Sequence, residues 1–254
     1  MRVTILGSGS AGGVPSISAG WGKCDPAEPR NRRTRPGILV EAAGTHILVD
    51  TSPDLREHLL RSNVKRLDAV VYTHFHADHV NGIDDLREIN RAMQRAIPCY
   101  GDALTMEDLQ RRFDYVFLGV PEGQPIFRPW LQPHRIDGPF DVGAITVTAF
   151  EQDHGWGTSL GLRFGDVAYS TDVVRLDHAA LTALKGVKVW IVGCLTDQPH
   201  ATHAHIDLVL EWVRELRPER TILTHMGPRL DYATLRDSLP NGVEPGYDGM
   251  IVDT

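Results

Sequence analysis

The sequence is poor in cysteine, in long apolar runs and in positive charge, and each shortage excludes a class of protein. Its three cysteines, Cys24, Cys99 and Cys194, are far apart and form no CxxC pair, so we expect no disulfide framework and a reducing, cytoplasmic location. The longest apolar candidate, residues 187–195, is interrupted by a lysine and a glycine, which predicts no membrane span. The first residues, MRVTILGSGSAGG, are too weakly apolar for a secretion signal.

The charge balance argues against a broad nucleic-acid-binding surface. The formal net charge is −7 over 254 residues, whereas non-specific nucleic-acid binding needs a basic face. A small phosphate substrate held by local cations remains compatible with this charge. We find no linker, repeat or low-complexity tract, which predicts one domain over residues 1–254.

Apolar periodicity predicts strands, then helices, then strands and helices again. Strands are expected at residues 3–6, 67–72 and 220–223, and helices at 84–94 and 206–216. The Pro-rich stretch 119–139 is predicted to be loop with one or two short strands. This order lacks the strict alternation of a doubly wound sheet. It favours an α/β fold (α+β) in which two mixed β-sheets pack together with helices outside.

Histidine, with twelve copies, is the most unusual feature that is present. One segment, His74-Phe75-His76-Ala77-Asp78-His79, follows a predicted buried strand. In an extended segment His74, His76 and Asp78 share one side, and a turn can bring His79 round. Imidazoles and a carboxylate suit zinc, manganese or iron. The sequence therefore predicts ligands for two neighbouring metals, because burying four unpaired polar groups would be costly.

Three further candidates, His154, Asp172 and His225, lie where predicted strands stop. Each alone has an ordinary explanation, a structural histidine or a helix-capping carboxylate. Together they gain weight, because ligand sites concentrate at such strand ends.

Two polar or glycine-rich segments have two interpretations each. Gly7-x-Gly9-x-x-Gly12 formally matches a dinucleotide fingerprint, but no helix is predicted to follow, so a glycine loop near the metal cleft is favoured. Four arginines, Arg30, Arg32, Arg33 and Arg35, form either a solvated loop or a phosphate-binding set.

His205 lies at a predicted helix start and is placed to face the cleft, whereas His200 and His203 are interpreted as solvated.

The pattern His74-x-His76-x-Asp78-His79, followed by His154, Asp172 and His225, resembles the metallo-β-lactamase-fold hydrolases over residues 2–253. The resemblance implies a four-layer αββα sandwich with a two-metal site. Within that superfamily the chain looks most like the branch related to the phosphoribosyl cyclic phosphodiesterase of phosphonate breakdown. The segments that carry this closer likeness are LGSGSAGGVP, residues 29–35, His205-Ile206-Asp207, Leu223-Thr224-His225 and Tyr247-Asp248-Gly249-Met250.

The resemblance also implies roles for individual residues. One metal would be held by His74, His76 and His154, the other by Asp78, His79 and His225, with Asp172 bridging. His205 would match the family's catalytic histidine that binds no metal, and Asp78 is counted with both the metal ligands and the catalytic residues. The implied cofactors are two divalent ions, zinc or manganese.

The chain departs from its relatives in the loop of residues 7–36. Relatives hold a structural zinc there through clustered cysteines and a later histidine, whereas here only Cys24 remains and Pro228 replaces the histidine. We therefore expect no structural zinc, which leaves open how the loop is held.

The expected activity is hydrolysis of a small, cyclic phosphodiester, a nucleotide or sugar phosphate. Two metals would supply hydroxide from a bridging water at neutral pH, His205 would act as general acid, and Arg32, Arg33, Arg35 and His205 would contact substrate. The alternatives are hydrolysis of a lactone, thioester or β-lactam, RNA processing by a related nuclease, and a non-catalytic metal- or partner-binding protein. We expect no stable nucleic-acid complex and no membrane partner, and a homodimer is compatible because dimers are the commonest assembly.

Overall fold

The computed structural model describes residues 1–121, 123 and 128–254. In the first half of the chain, strands and helices follow in the order β1 (Arg2–Gly7), β2 (Gly37–Ala42), β3 (Thr45–Val49), α1 (Leu55–Arg61), β4 (Ala69–Val71), α2 (Ala77–Val80), α3 (Leu86–Met93), β5 (Ile97–Gly101), α4 (Ala103–Arg112), α5 (Asp114–Phe117) and β6 (Leu131–Arg135). Short 3-10 turns lie at Pro29–Asn31 and Ile83–Asp85.

The second half continues with β7 (Phe140–Val142), β8 (Ile145–Asp153), β9 (Thr158–Phe164), β10 (Val167–Ser170), α6 (His178–Leu184), β11 (Val189–Gly193), α7 (Ile206–Leu216), β12 (Arg220–Thr224), α8 (Tyr232–Ser238), β13 (Val243–Pro245) and β14 (Ile251–Asp253). Among the described residues, none of these helices has the length and apolarity to cross a bilayer.

Two mixed sheets of seven strands each organise the fold. Their orders are β14-β1-β2-β3-β4-β5-β6 and β13-β12-β11-β10-β9-β8-β7. Apolar side chains of both sheets, such as Ile47 and Ile191, meet in one core between them. A second core joins the first sheet to α1, α3 and α4, and a third joins the other sheet to α6, α7 and α8. These three cores define the predicted αββα sandwich, which the structure confirms.

The strands also define where polar side chains converge. β3, β4 and β5 are parallel, as are β10, β11 and β12. β8 runs the same way as β10 because both are antiparallel to β9. The carboxyl ends of β4, β8, β10 and β12 meet at one edge of the sandwich, where the amide of Leu160 donates to the carbonyl of Thr73 across the two sheets (2.8 Å).

Most predicted elements are present, with shifted ends. The helix at Ile206–Leu216 has its predicted bounds. One local expectation is wrong: the segment after His76 is not extended, because helix α2 begins at Ala77. In the stretch 119–139 the structure has strand β6, while residues 122 and 124–127 lie outside the described residues.

Candidate metal centre

The first group of ligand-type atoms comes from His74, His76, His154 and Asp172, and these atoms all lie within 4.8 Å of one another. His76 Nδ1 is 3.1 Å from His74 Nε2 and 3.3 Å from His154 Nε2. Asp172 Oδ2 lies 3.7 Å from His74 Nε2 and 3.5 Å from His154 Nε2. Three imidazole nitrogens and one carboxylate oxygen thus surround a single point.

The second group shares the same carboxylate and comprises Asp78, His79, Asp172 and His225. Asp172 Oδ1 is 3.2 Å from His79 Nε2 and 3.1 Å from His225 Nε2. Asp78 Oδ2 is 3.3 Å and 3.4 Å from the same two nitrogens. The structure therefore brings all seven predicted ligands together, with the two oxygens of Asp172 facing different groups.

Short strand-end turns place these side chains. Asp172 and His225 follow β10 and β12 with positive φ angles, 45° and 55°. A left-handed backbone is uncommon for residues other than glycine and clusters at functional sites. Helix α2 then turns Asp78 and His79 toward the second group. Both side chains therefore reach it, although adjacent residues of a strand would point to opposite faces.

Neighbouring polar groups fix which ring nitrogen faces inward. Asp50 Oδ2 lies 2.7 Å from His79 Nδ1, and the carboxylate of Asp50 also accepts the backbone and side-chain donors of Thr73, at 2.8 Å each. The carbonyl of Thr202 lies 2.8 Å from His154 Nδ1. In both histidines the remaining Nε2 is left for the centre, the arrangement by which carboxylates and carbonyls orient metal-binding imidazoles. The sequence reasoning missed Asp50, although its place at the end of β3 was a usable signal.

The charge states of Asp172 and His74 match those of metal ligands, whereas His79 has to give up its proton to bind a cation. Burial alone would raise the pKa of Asp172, but His225 and His79 hold it well below its ordinary value. Burial and the neighbouring His79 push the pKa of His74 well below its ordinary value. For His79, burial opposes protonation, but three surrounding carboxylates outweigh it and raise the pKa. The ionised carboxylates would attract a cation. That cation would compete with the proton of His79 for the imidazole nitrogen.

The residues present fit two divalent ions. His79 Nε2 is buried and has no hydrogen-bond partner within the described part of the chain, although two carboxylate oxygens lie within 3.3 Å of it. A cation would satisfy this orphaned nitrogen. Each group offers nitrogen and oxygen donors of the kind that zinc and manganese accept.

A cavity of about 650 Å³ opens over the centre. Its floor includes Asp78 and Asp172, and its walls include Ala11 from the glycine loop. The expected closeness of that loop to the cleft is confirmed. Ligand pockets span roughly 300–1,000 Å³, so a nucleotide-sized molecule has room here.

The structure places His203, and not His205, at the centre. His203 lines the cavity, and its Nε2 is 3.1 Å from Asp172 Oδ2 while Thr202 Oγ1 lies 2.8 Å from its Nδ1. His205 immediately precedes helix α7, makes no side-chain cap there and is not part of the cavity lining. The structure thus puts His203 in the position against the cleft where the sequence analysis expected His205.

A family profile described as "Beta-lactamase superfamily domain" matches residues 45–226, which include all seven residues of the two candidate ligand groups. The chain belongs to the beta-lactamase superfamily. Membership confirms the predicted family. The carboxylate–imidazole centre lies where this superfamily fold, with its two facing sheets, brings strand ends together.

Several known proteins are similar to this chain over half of its length or more. A crystal structure of "a New Diphosphatase from the PhnP Family" is 32% identical, covers 100% of this chain and 97% of its own, and has a TM-score of 0.91. An "Octanoyltransferase" of Porphyromonas gingivalis is 32% identical over 262 residues, 100% of this chain and 52% of its own length. A "Ribonuclease Z" of Bradyrhizobium sp. is 31% identical over 140 residues, 54% of this chain and 46% of its own. The chain thus spans about half the length of these two curated relatives.

In this superfamily member the N-terminal loop is held by a buried arginine. Arg33 is 2% exposed and donates to the carbonyl of Leu230 (2.7 Å) and to Asn31 Oδ1 (3.3 Å). Asn31 in turn donates to Asp231 Oδ2 (2.7 Å) and accepts from the amide of Tyr232 (2.8 Å). The expected substrate contact of Arg33 is therefore wrong, because its guanidinium is buried and hydrogen-bonded to Leu230 and Asn31.

The other two predicted phosphate-binding arginines also lie away from the cavity lining. Arg35 pairs with the carboxylate of Asp54 through its side chain (2.6 Å) and backbone (2.8 Å). Arg32 is exposed, with its guanidinium 5.3 Å from the ring centre of Trp21. The structure gives neither residue a place against a ligand at the centre.

Proposed function

We propose that this protein is a dinuclear metal-dependent hydrolase of a small phosphodiester, cyclic phosphodiesters included. The observation that carries the proposal is the pair of ligand groups that share Asp172 and open into a cavity lined by His203. In-line displacement at phosphorus needs charge stabilised on both the attacking and the leaving oxygen. Two adjacent cation-binding groups beside a proton donor supply this combination.

The proposed ligand sets are those defined by the two groups. His74, His76 and His154 would hold one ion, Asp78, His79 and His225 the other, and Asp172 would contact both. Bound divalent ions lower the pKa of water and neutralise phosphoryl charge. Asp50 and Thr202 hold the imidazoles of His79 and His154 in the orientation that this binding requires.

His203 is the proposed proton donor. Its imidazole is about four-fifths buried and lies against Asp172 at the cavity wall, so it can approach an oxygen on a phosphorus atom bound over the centre. The contact with Asp172 orients the ring, and Thr202 restrains its other nitrogen. General acids of this kind contribute about 10²–10⁴-fold to the rate.

A phosphorus centre is favoured over a carbonyl by the whole-chain likeness to the diphosphatase structure, at 32% identity. That same likeness makes a diphosphate the second candidate substrate. RNA processing is less well supported, because the described cavity lining contains no lysine or arginine and the net charge is −7.

The test uses protein loaded with zinc or with manganese and bis(p-nitrophenyl) phosphate as the probe. We expect turnover that disappears on chelation and returns when metal is restored. His203→Ala should lower kcat by about 10²–10⁴-fold with unchanged metal content. His205→Ala is the matched control and should leave kcat within about 2-fold.

Two results would contradict the proposal. Metal-replete protein that hydrolyses p-nitrophenyl acetate or a lactone, but no phosphodiester, would assign it to carbonyl chemistry. Loss of activity in His205→Ala with normal activity in His203→Ala would restore the assignment made from the sequence.

A further inference from the structure

The rim of the cavity is unusually apolar for a site that would bind phosphate. Trp156 is 94% exposed, Leu104 is 64% exposed and Phe75 is 37% exposed, and all three line the cavity. Large apolar side chains grouped at the mouth of a cleft mark a binding surface. None of the three has a part in the proposed chemistry at the metal centre.

The loop that carries Trp156 is tied to the centre. It joins β8 to β9 through His154-Gly155-Trp156-Gly157, so the indole lies two residues beyond a proposed ligand. The amide of His154 donates to the carbonyl of Gly157 (2.9 Å), and that of Trp156 to the carbonyl of His154 (3.1 Å).

Gly155 fixes the path of this loop. Its φ is +82°, and a Cβ atom there would lie 2.7 Å from the carbonyl oxygen of Ala201. The backbone thus packs against the segment that carries His203, while the ring of Trp156 remains in solvent. An indole that a tight turn holds beside a reactive centre is suited to stacking.

The charges of the lining indicate what this surface does not bind. Among the described residues the lining has no lysine or arginine, and it includes the carboxylate of Asp102 next to Leu104. Asp102 caps helix α4 by accepting from the amide of Thr105 (2.7 Å). The nearby Arg112 donates to the carbonyl of Phe75 and pairs with Asp108. Its positive charge is therefore already neutralised by a carboxylate. A second phosphate on the substrate would meet no free cation here.

We propose that Trp156, with Phe75 and Leu104, binds a planar, uncharged aromatic group of the nucleobase class that the phosphate substrate carries. This inference rests on the proposed function, since the phosphorus would lie at the metal centre. It selects nucleotide-like substrates over sugar phosphates with additional charged groups. Nucleotides can stack on the indole, because every base has a π-face. Sugar phosphates with additional charged groups would find no cation at the rim.

The test compares two esters with the same leaving group, thymidine 5′-(p-nitrophenyl phosphate) and methyl p-nitrophenyl phosphate, on manganese-loaded protein. Base stacking is worth about 1–3 kcal/mol, so wild type should favour the thymidine ester by about 5- to 150-fold, mainly in KM. Trp156→Ala should abolish that preference, because both esters share the p-nitrophenyl ring and only one carries a base. Trp156→Phe should keep part of it.

A binding readout accompanies the kinetics. Adenosine 5′-monophosphate should quench tryptophan fluorescence in wild type. It should do the same in the control variant Trp21→Phe, because Trp21 lies outside the cavity lining. It should quench much less in Trp156→Phe. Equilibrium dialysis of the same nucleotide should show weaker binding to Trp156→Ala.

The outcomes separate this inference from the proposed function. If neither ester is cleaved by metal-loaded protein, the proposed function fails. If both are cleaved with equal kcat/KM, and Trp156→Ala changes neither, only the aromatic surface is refuted. If Trp156→Ala instead converts a dimer into a monomer in light scattering, the rim is an interface between two copies and the inference is overturned.

Discussion

Replacing Arg33 tests how the N-terminal loop of residues 7–36 is held. The guanidinium is buried, donates to Leu230 and Asn31, and lies 4.0 Å from the thiol of Cys24. Burial lowers its pKa, against the opposing effects of Cys24, Asp248 and Asp231. The side chain thus connects the loop to the segment after β12.

The expected cost follows from the two hydrogen bonds at 2.7 and 3.3 Å. A hydrogen bond from a charged donor contributes roughly 1.5–3 kcal/mol, so Arg33→Ala should lower the free energy of unfolding by at least about 3 kcal/mol. Arg33→Lys keeps the charge but not the forked geometry, so it should recover only part of this loss. Urea unfolding at pH 7.5, followed by circular dichroism, measures the difference.

Arg32→Ala is the matched control, because this neighbour is exposed, and it should change the free energy of unfolding by less than about 0.5 kcal/mol. Equal losses in both variants would refute the reasoning. So would a stable Arg33→Ala protein with a raised KM for bis(p-nitrophenyl) phosphate, which would return Arg33 to the substrate site.

Three further predictions concern a buried histidine and the centre. Burial lowers the pKa of His58 to about 4 from 6.5. The unfolded chain therefore takes up a proton first, and this group should cost metal-free protein up to about 3 kcal/mol of unfolding free energy as pH falls from 6.5 to 4. Urea titrations should show an acid-dependent loss that is smaller by this amount in His58→Gln than in wild type and unchanged in the exposed control His178→Gln, the remainder coming from groups such as His74. Asp50→Asn should weaken metal binding by about 10–100-fold in chelator competition, since the carboxylate orients His79. Asp172→Asn should lower the metal content found by atomic emission after dialysis and abolish phosphodiester hydrolysis, because one carboxylate faces both ligand groups.

Each of these has a contrary result. An acid dependence in His58→Gln equal to that of wild type would mean that His58 does not affect stability in this pH range. Unchanged metal affinity in Asp50→Asn would show that the orientation of His79 does not depend on the carboxylate. Full activity in Asp172→Asn would refute its proposed bridging position.

The local sequence determined much of the centre. The run from His74 to His79 names four ligands by itself, and His154, Asp172 and His225 were found because apolar strands stop before them. Such features can be predicted because a strand's apolar pattern and its polar end are adjacent in the sequence. The mixed-sheet sandwich followed from the order of strands and helices in the same way.

Tertiary structure alone decided which other polar residues reach the centre. His203 and His205 both lie in an irregular segment whose path depends on distant partners, such as the hydrogen bond from the amide of Ala204 to the carbonyl of Val173 (2.6 Å). No periodicity specifies that path, so the sequence favoured His205, which the structure leaves outside the cavity lining. Arg33 is equally ambiguous from its neighbours, because burial and charge pairing are set by the chain that folds over it, near Leu230.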